Sequence, residues 1–193
     1  MAIGRNNVIC KFRGNKWDLR FPSYVSLKYD GEFNWLMKKD NNIYLVNKWN
    51  RIRKDLNILD NIKRLNLPNN IYFCELYYNE GKTKEDFYNL LRNKTSPNLN
   101  IAIWGAIGLS GKDTFNLLNK YKNKKGFAPY WEINNRKELN ILINKYIINN
   151  NYEGLIIRRE DSYFNNGKSK YWIKVKRKDR ELNYKNCSYG IWI

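Results

Sequence analysis

The chain has 193 residues, 42% of them hydrophobic, enough for one core or at most two small lobes, and it carries 36 basic against 18 acidic residues for a net charge of +18. That excess points to a polyanionic partner, and the lack of an apolar run of about 20 residues or a strongly amphipathic basic helix argues against a membrane. Three scattered cysteines form neither a disulfide framework nor a zinc cluster, and the absence of histidine excludes His-based triads.

Any catalysis therefore rests on Lys, on Asp/Glu, or on a metal held by oxygen ligands, in a reducing compartment. Asn, Lys, Ile and Tyr recur throughout, as AT-rich coding would produce, which discounts part of the charge.

Residues 1–20 mix charged and aromatic side chains without period, and Phe21-Pro22 marks a boundary. Tyr24 to Lys28 and Glu32 to Lys38 read as strands about a tight Asp30-Gly31 corner, with Phe33, Trp35 and Met37 on one face. Asp40-Asn41-Asn42 is a turn, and Ile43 to Asn47 returns as a hairpin strand. Residues 48–66 are strongly basic (Lys48, Arg51, Arg53, Lys54, Lys63, Arg64), either a solvated face or a phosphate-contacting one.

After Pro68-Asn69-Asn70, the aromatic strand Ile71 to Tyr77 is broken by one carboxylate, Glu75. Thr83 caps a short helix with Glu85 and Asp86 in its first turn and Phe87, Leu90 and Leu91 inward. Beyond Pro97, Leu99 to Ile103 is a buried strand ending at Trp104-Gly105, and Asp113 caps a helix with Leu117, Leu118 and Tyr121. Asn135, three residues before Glu138, caps the clearest helix, whose buried stripe is Leu139, Leu142, Ile143, Tyr146 and Ile147. Glu153 to Arg159 and Tyr171 to Arg177 are strands on either side of an Asn165-Asn166-Gly167 loop. The irregular alternation of strands and helices predicts a mixed α/β (α+β) domain over 1–193, with no repeat and no long linker.

Three features carry chemistry. Lys28 is delivered by a strand to the Asp30-Gly31 corner. Trp172, Lys174 and Lys176 share one face of a strand, which puts two ammoniums about 7 Å apart as a phosphate clamp. Glu75 and Glu153 interrupt apolar strands, which is costly unless they are paired. A lysine nucleophile needs a neutral amine, a form that neighbouring ammoniums or a divalent cation favour.

In this order the chain resembles the covalent nucleotidyltransferase superfamily of DNA ligases, RNA ligases and mRNA capping enzymes. Lys28-Tyr29-Asp30-Gly31 resembles the nucleotidylated-lysine motif, and Glu75 in Tyr72-Phe73-Cys74-Glu75-Leu76 the ribose-contacting glutamate. Ile101-Ala102-Ile103-Trp104 resembles the strand whose aromatic stacks on the base. Glu153-Gly154-Leu155-Ile156-Ile157-Arg158 resembles the metal-associated glutamate motif, and Trp172-Ile173-Lys174-Val175-Lys176 the closing Lys-x-Lys motif. The matches span residues 21 to 181.

ATP-dependent DNA ligases fit best, on Tyr163-Phe164-Asn165-Asn166-Gly167-Lys168-Ser169 between the last two motifs and on Asp179 and Glu181 after them. Three departures stand out. Phe33 replaces the usual arginine, Asn47-Lys48 the usual Ser-Arg pair, and Trp104-Gly105 the usual aromatic-Asp pair.

The resemblance implies a ligase/capping-enzyme fold of antiparallel sheets flanked by helices; DNA ligases continue into an OB-fold domain, and the expectation here departs from them, with no OB-fold and 182–193 a short tail where one would begin. It implies that Lys28 attacks ATP to form a lysyl-AMP, with Lys174 and Lys176 as catalytic partners. Ser26, Asp30, Gly31, Lys48, Glu75, Trp104 and Glu153 complete the nucleotide site, Ser26 lying beside the adenine. Glu75 and Glu153 would ligate Mg2+ or Mn2+. The expected substrate is nicked duplex DNA, or RNA or an RNA–DNA hybrid. The chain is expected to be a cytoplasmic monomer, virus- or phage-encoded, with an OB-fold partner in trans as one option. The alternatives are an RNA ligase, a guanylyltransferase that flanking residues fit less well, and a non-catalytic nucleic-acid-binding domain that kept the fold.

Overall fold

Two five-stranded sheets organise the computed structural model, which describes residues 10–13, 19–53, 56–78, 99–150, 152–164 and 171–177, with 10–13 and 177 as backbone only. The Thr83 helix, Pro97, Lys54, the 165–169 loop, Asp179, Glu181, the 182–193 tail and the thiols of Cys10 and Cys187 lie outside the described residues.

In chain order the elements are β1 (Cys10–Arg13), β2 (Ser23–Lys28), β3 (Gly31–Lys39), β4 (Asn42–Asn47), β5 (Ile52–Arg53), α1 (Ile58–Lys63), β6 (Asn70–Tyr78), β7 (Leu99–Ala106), α2 (Gly111–Asn119), β8 (Tyr130–Ile133), α3 (Arg136–Leu142) with a π-helical continuation (Ile143–Asn149), β9 (Gly154–Arg159) and β10 (Trp172–Arg177). The chain divides into two compact units: residues 1–28, 110–112 and 131–193 form the first, and residues 29–109 and 113–130 the second.

The first unit holds the sheet ordered β1-β10-β9-β2-β8. β9 is its centre, antiparallel to both β2 and β10. Val25, Leu27, Leu155, Ile157, Ile173 and Val175 alternate onto one face and are all buried. The Asn135 cap forms as the sequence predicts: its side chain accepts from the Glu138 amide at 3.0 Å, and the Glu138 carboxylate accepts in return from the Asn134 amide at 2.9 Å. Leu139, Leu142, Ile143 and Ile147 make the buried stripe. The helix widens to π geometry from Ile143, which periodicity alone does not announce. β1 falls within 1–20, read as aperiodic, because an edge strand this short shows no alternation.

The second unit holds the sheet β5-β4-β3-β6-β7. β3 is paired on both sides, and its alternation is unusual: Glu32, Asn34 and Leu36 point into the core while Phe33, Trp35 and Met37 share the less buried face. Glu32 survives burial because Arg53 Nη2 donates to both its oxygens, at 2.7 and 2.9 Å. Tyr72, fully buried, donates to the Pro68 carbonyl at 2.7 Å, and burial pushes its hydroxyl up to about 12. Burial likewise pushes the Cys74 thiol well up. β7 is buried along its whole length, one residue past the expected Gly105. α2 starts at Gly111, so Asp113 sits in its first turn rather than capping it, and Tyr121 lies beyond its end. Thr114 and Leu118 are its buried residues in the second unit.

Candidate active site

The register of the first sheet sets three residues in one row. Lys28 pairs with Gly154, and Gly154 pairs with Lys176. Directly opposed residues of antiparallel strands share a face, so both lysines rise on the same side of the central strand. Two strand spacings put their backbones about 10 Å apart, close enough for both ammoniums to converge on a group between them.

That group is Glu153. Lys28 Nζ donates to Glu153 Oε2 at 2.5 Å, and Lys176 Nζ lies 2.6 Å from Glu153 Oε1. The three side chains are 19%, 23% and 11% exposed in the order Lys28, Lys176, Glu153, so the cluster is sheltered yet reachable. Two ammoniums and one carboxylate give the cluster a formal net charge of +1. Glu153 stands one residue before β9 instead of opening it.

Gly154 makes this row possible. A Cβ there would sit 2.0 Å from the Val175 carbonyl oxygen and 3.3 Å from the Lys176 Cα. The backbones of β9 and β10 approach too closely for any side chain, so the space between the lysines is left to the carboxylate of residue 153.

One row further along, Lys174 pairs with Ile156 and Ile156 with Ser26. Lys174 is exposed, on the same face as Trp172 and Lys176, as the period of two predicts. Ser26 is fully buried, and its Oγ accepts from Arg158 Nη1 at 2.7 Å. Arg158, 1% exposed, packs its guanidinium 4.5 Å from the Trp172 ring centroid. Trp172 Nε1 in turn donates to Ser162 Oγ at 3.2 Å. Arg158 closes the Glu153–Arg158 motif without a role assigned from sequence, and its parity with Gly154 along β9 sets it on the lysine face.

The remaining expected residues belong to the second unit. Asp30 is exposed at the β2–β3 corner. A Cβ on Gly31 would meet the Leu76 carbonyl oxygen at 2.0 Å and the Glu75 Cγ at 2.9 Å, so Gly31 leaves the room that Glu75 occupies. Glu75 pairs across β3 with Phe33 and across β7 with Ala102. Trp104 is 7% exposed and its carbonyl accepts from the Tyr130 hydroxyl. Its ring lies 5.3 Å from Phe73 and 5.8 Å from Phe33. Phe33, standing where an arginine is usual, is therefore part of an aromatic cluster. Lys48 is exposed in the β4–β5 turn, its Nζ 4.4 Å from the Trp49 ring centroid.

Among the described residues no group of three His, Cys, Asp or Glu side chains could cage a metal. Magnesium commonly takes one or two carboxylates and completes its shell with water and phosphate oxygens. The single carboxylate of Glu153 fits an ion that arrives with a triphosphate. Among the described residues no helix is long and apolar enough to cross a membrane.

No protein-family model matches the sequence, and no curated protein matches it. Solved structures do. The ATP-dependent DNA ligase of bacteriophage T7 in complex with ATP matches at 20% identity and a TM-score of 0.54, over 80% of this chain and 62% of that one. A DNA ligase-adenylate of Chlorella virus matches at 18% and 0.57, over 78% and 58%. A protein designated Pmar-Lig_PreS3 matches at 11% and 0.59, over 80% and 42%. The chain thus spans between 42% and 62% of the length of these proteins. At these identities the likeness is one of fold: the chain has the fold of a ligase nucleotidyltransferase domain.

Proposed function

We propose that this chain, built on the ligase nucleotidyltransferase fold, is the adenylation domain of an ATP-dependent polynucleotide ligase of the DNA ligase type. The observation that carries the reading is the Glu153 carboxylate held between Lys28 and Lys176, the two lysines that share a row with Gly154. A solvated lysine before a turn has no need of such a partner, nor of a glycine that clears space beside it.

In the proposed reaction Lys28 Nζ attacks the α-phosphorus of ATP. An N–P bond forms, the bond to the pyrophosphate oxygen breaks, and pyrophosphate leaves. The amine must first lose a proton, and Glu153 Oε2, at 2.5 Å, is the acceptor at hand. Freed from Glu153, Lys176 can turn its ammonium to the phosphate oxygens, with Lys174 as the outer cation of the clamp. A magnesium or manganese ion held by Glu153, with Glu75 as the second carboxylate that the resemblance assigns, would neutralise triphosphate charge. AMP then passes from Lys28 to a 5′-phosphate, and a 3′-hydroxyl displaces it to seal the nick. Glu75 as ribose contact and Trp104 as base platform complete the reading, with Ser26, Asp30, Gly31 and Lys48 as further nucleotide contacts.

The test is intact mass after incubation with ATP and Mg2+. A gain of one AMP that is lost in Lys28→Ala supports the reading; no gain in the wild type under any metal sinks it. Sealing of RNA has one observation in its favour, the Phe33 ring packed among Trp35, Phe73 and Trp104 where DNA ligases usually carry an arginine. Parallel sealing of nicked DNA and nicked RNA duplexes separates the two.

A further inference from the structure

The outer strands of the second sheet are apolar on the side where water should find polar side chains. On their core face Leu36, Ile43 and Leu45 are buried, as expected. On the opposite face Met37 pairs with Tyr44, and Val46 with both Trp35 and Ile52. Met37 and Tyr44 are each 39% exposed and Ile52 is 54% exposed. An antiparallel sheet with one wetted face normally alternates polar residues onto it, and a contiguous apolar strip instead marks a contact surface. Ring contacts continue the strip from Trp35 through Phe33 to Phe73 and Trp104.

At its outer end stands the β4–β5 turn, where Trp49 is 53% exposed. This turn is firmly built. The Asn47 side-chain oxygen accepts from the backbone amides of both Trp49 and Arg51 at 3.0 Å, the Asn50 amide donates to the Asn47 carbonyl at 2.9 Å, and Asn50 takes a positive φ of 58°. Lys48 lies against the indole, and Arg51 is exposed at the end of the turn. A hydrogen-bonded turn thus offers an exposed indole with Lys48 against it and Arg51 two residues further on, at the head of an apolar strip, in a chain of net charge +18.

We propose that this surface is a stacking platform for an unpaired stretch of polynucleotide, with Trp49 taking one base and the Tyr44–Ile52 strip its neighbours while Lys48 and Arg51 follow the phosphates. Aromatic stacking tolerates any base because every base has a π-face, and cations alongside supply the salt-dependent part of the affinity. Bases paired and stacked within a continuous duplex do not present that face, so the platform selects frayed ends, gaps or overhangs. An apolar protein partner would not account for the ammonium of Lys48 over the ring or for the exposed Arg51 in the same turn. The inference rests on the polynucleotide reading above and deepens it by naming the state of the strand that is bound.

The test is fluorescence-anisotropy binding of labelled oligo-dT and of an uninterrupted duplex of equal length. Trp49→Ala should weaken oligo-dT binding about tenfold and duplex binding less than about twofold, while Trp49→Phe retains most of the affinity. Ile52→Ser should act in the same direction, and Arg51→Ala should lower the salt slope by about one. Unchanged oligo-dT binding in Trp49→Ala, or an equal loss on both polymers, overturns the platform. The AMP gain on Lys28, measured on the same samples, reports separately on the ligase reading, and Ile52→Ser, which lies outside the proposed nucleotide site, should leave it at the wild-type level.

Discussion

Replacing Gly154 by alanine adds one methyl group at the point where two strands touch. The new Cβ would lie 2.0 Å from the Val175 carbonyl oxygen, whereas such contacts essentially never fall below 3.0 Å, so about 1 Å of backbone movement is required. The obstacle is a ladder carbonyl and cannot rotate away. Relief comes by parting β9 from β10, which carries Lys176 away from Lys28, or by tilting β9, which carries Glu153 with it. Overpacking of this kind costs roughly 1–3 kcal/mol, and each kcal/mol should lower the melting temperature by roughly 2–4 °C in a chain of this size. The chemical effect should be larger than the stability effect, since a 1 Å misplacement of reacting groups costs on the order of 100-fold in rate.

The assay is the rate of AMP gain by intact mass, run well below the melting temperature measured for each variant. Gly108→Ala is the control: its φ of 74° makes alanine costly by about 1–2 kcal/mol, yet among the described residues no atom lies within 4 Å of an added Cβ. It should lose stability and keep its adenylation rate. If Gly154→Ala gains AMP within twofold of the wild-type rate, the argument that this glycine sets the lysine row is wrong.

Arg53→Ala should leave the Glu32 carboxylate, 4% exposed, without its ion-pair partner, at a cost of about 3–5 kcal/mol by urea denaturation. The double variant Glu32→Leu/Arg53→Met should recover most of that loss, and a cost for Arg53→Ala below about 1 kcal/mol would refute the pairing argument. Tyr72 gives a pH signature. Its folded-state pKa of about 12 lies above the ordinary 10.0, so the native state holds the phenolic proton more tightly. The contribution is fully present below pH 10 and disappears as pH rises towards 12. The wild type should lose stability more steeply than Tyr72→Phe between pH 10 and 12, and parallel slopes in urea titrations would exclude the effect.

The sequence made parts of this molecule legible where a period or a turn residue acts alone. Alternation set Trp172, Lys174 and Lys176 on one face, Asn135 and Glu138 announced their helix start, and Asp30-Gly31 announced the corner after Lys28. What stayed hidden depends on pairing between distant segments. Glu32 reads as a surface residue until Arg53, twenty-one positions on, is seen to donate to it. Glu153 reads as the first residue of a strand, and only the alignment of β2 with β9 and of β9 with β10 reveals it as the bridge between two lysines. β5 and β8, of two and four residues, are too short to show a pattern. The 48–66 basic run resolves into a turn, a short strand and a helix, with Arg53 drawn inward and Lys48 left outside.

Lys28 and Lys176 stand on different strands, β2 and β10, and both strands pair with β9. A slip of one residue in either pairing would turn one lysine to the other side of the sheet, with little penalty in hydrogen bonds. The convergence of both lysines on Glu153 therefore depends on correct alignment of all three strands. On the proposed function, AMP gain needs both pairings, so a register-shifted copy should stay unlabelled even when its secondary structure is intact.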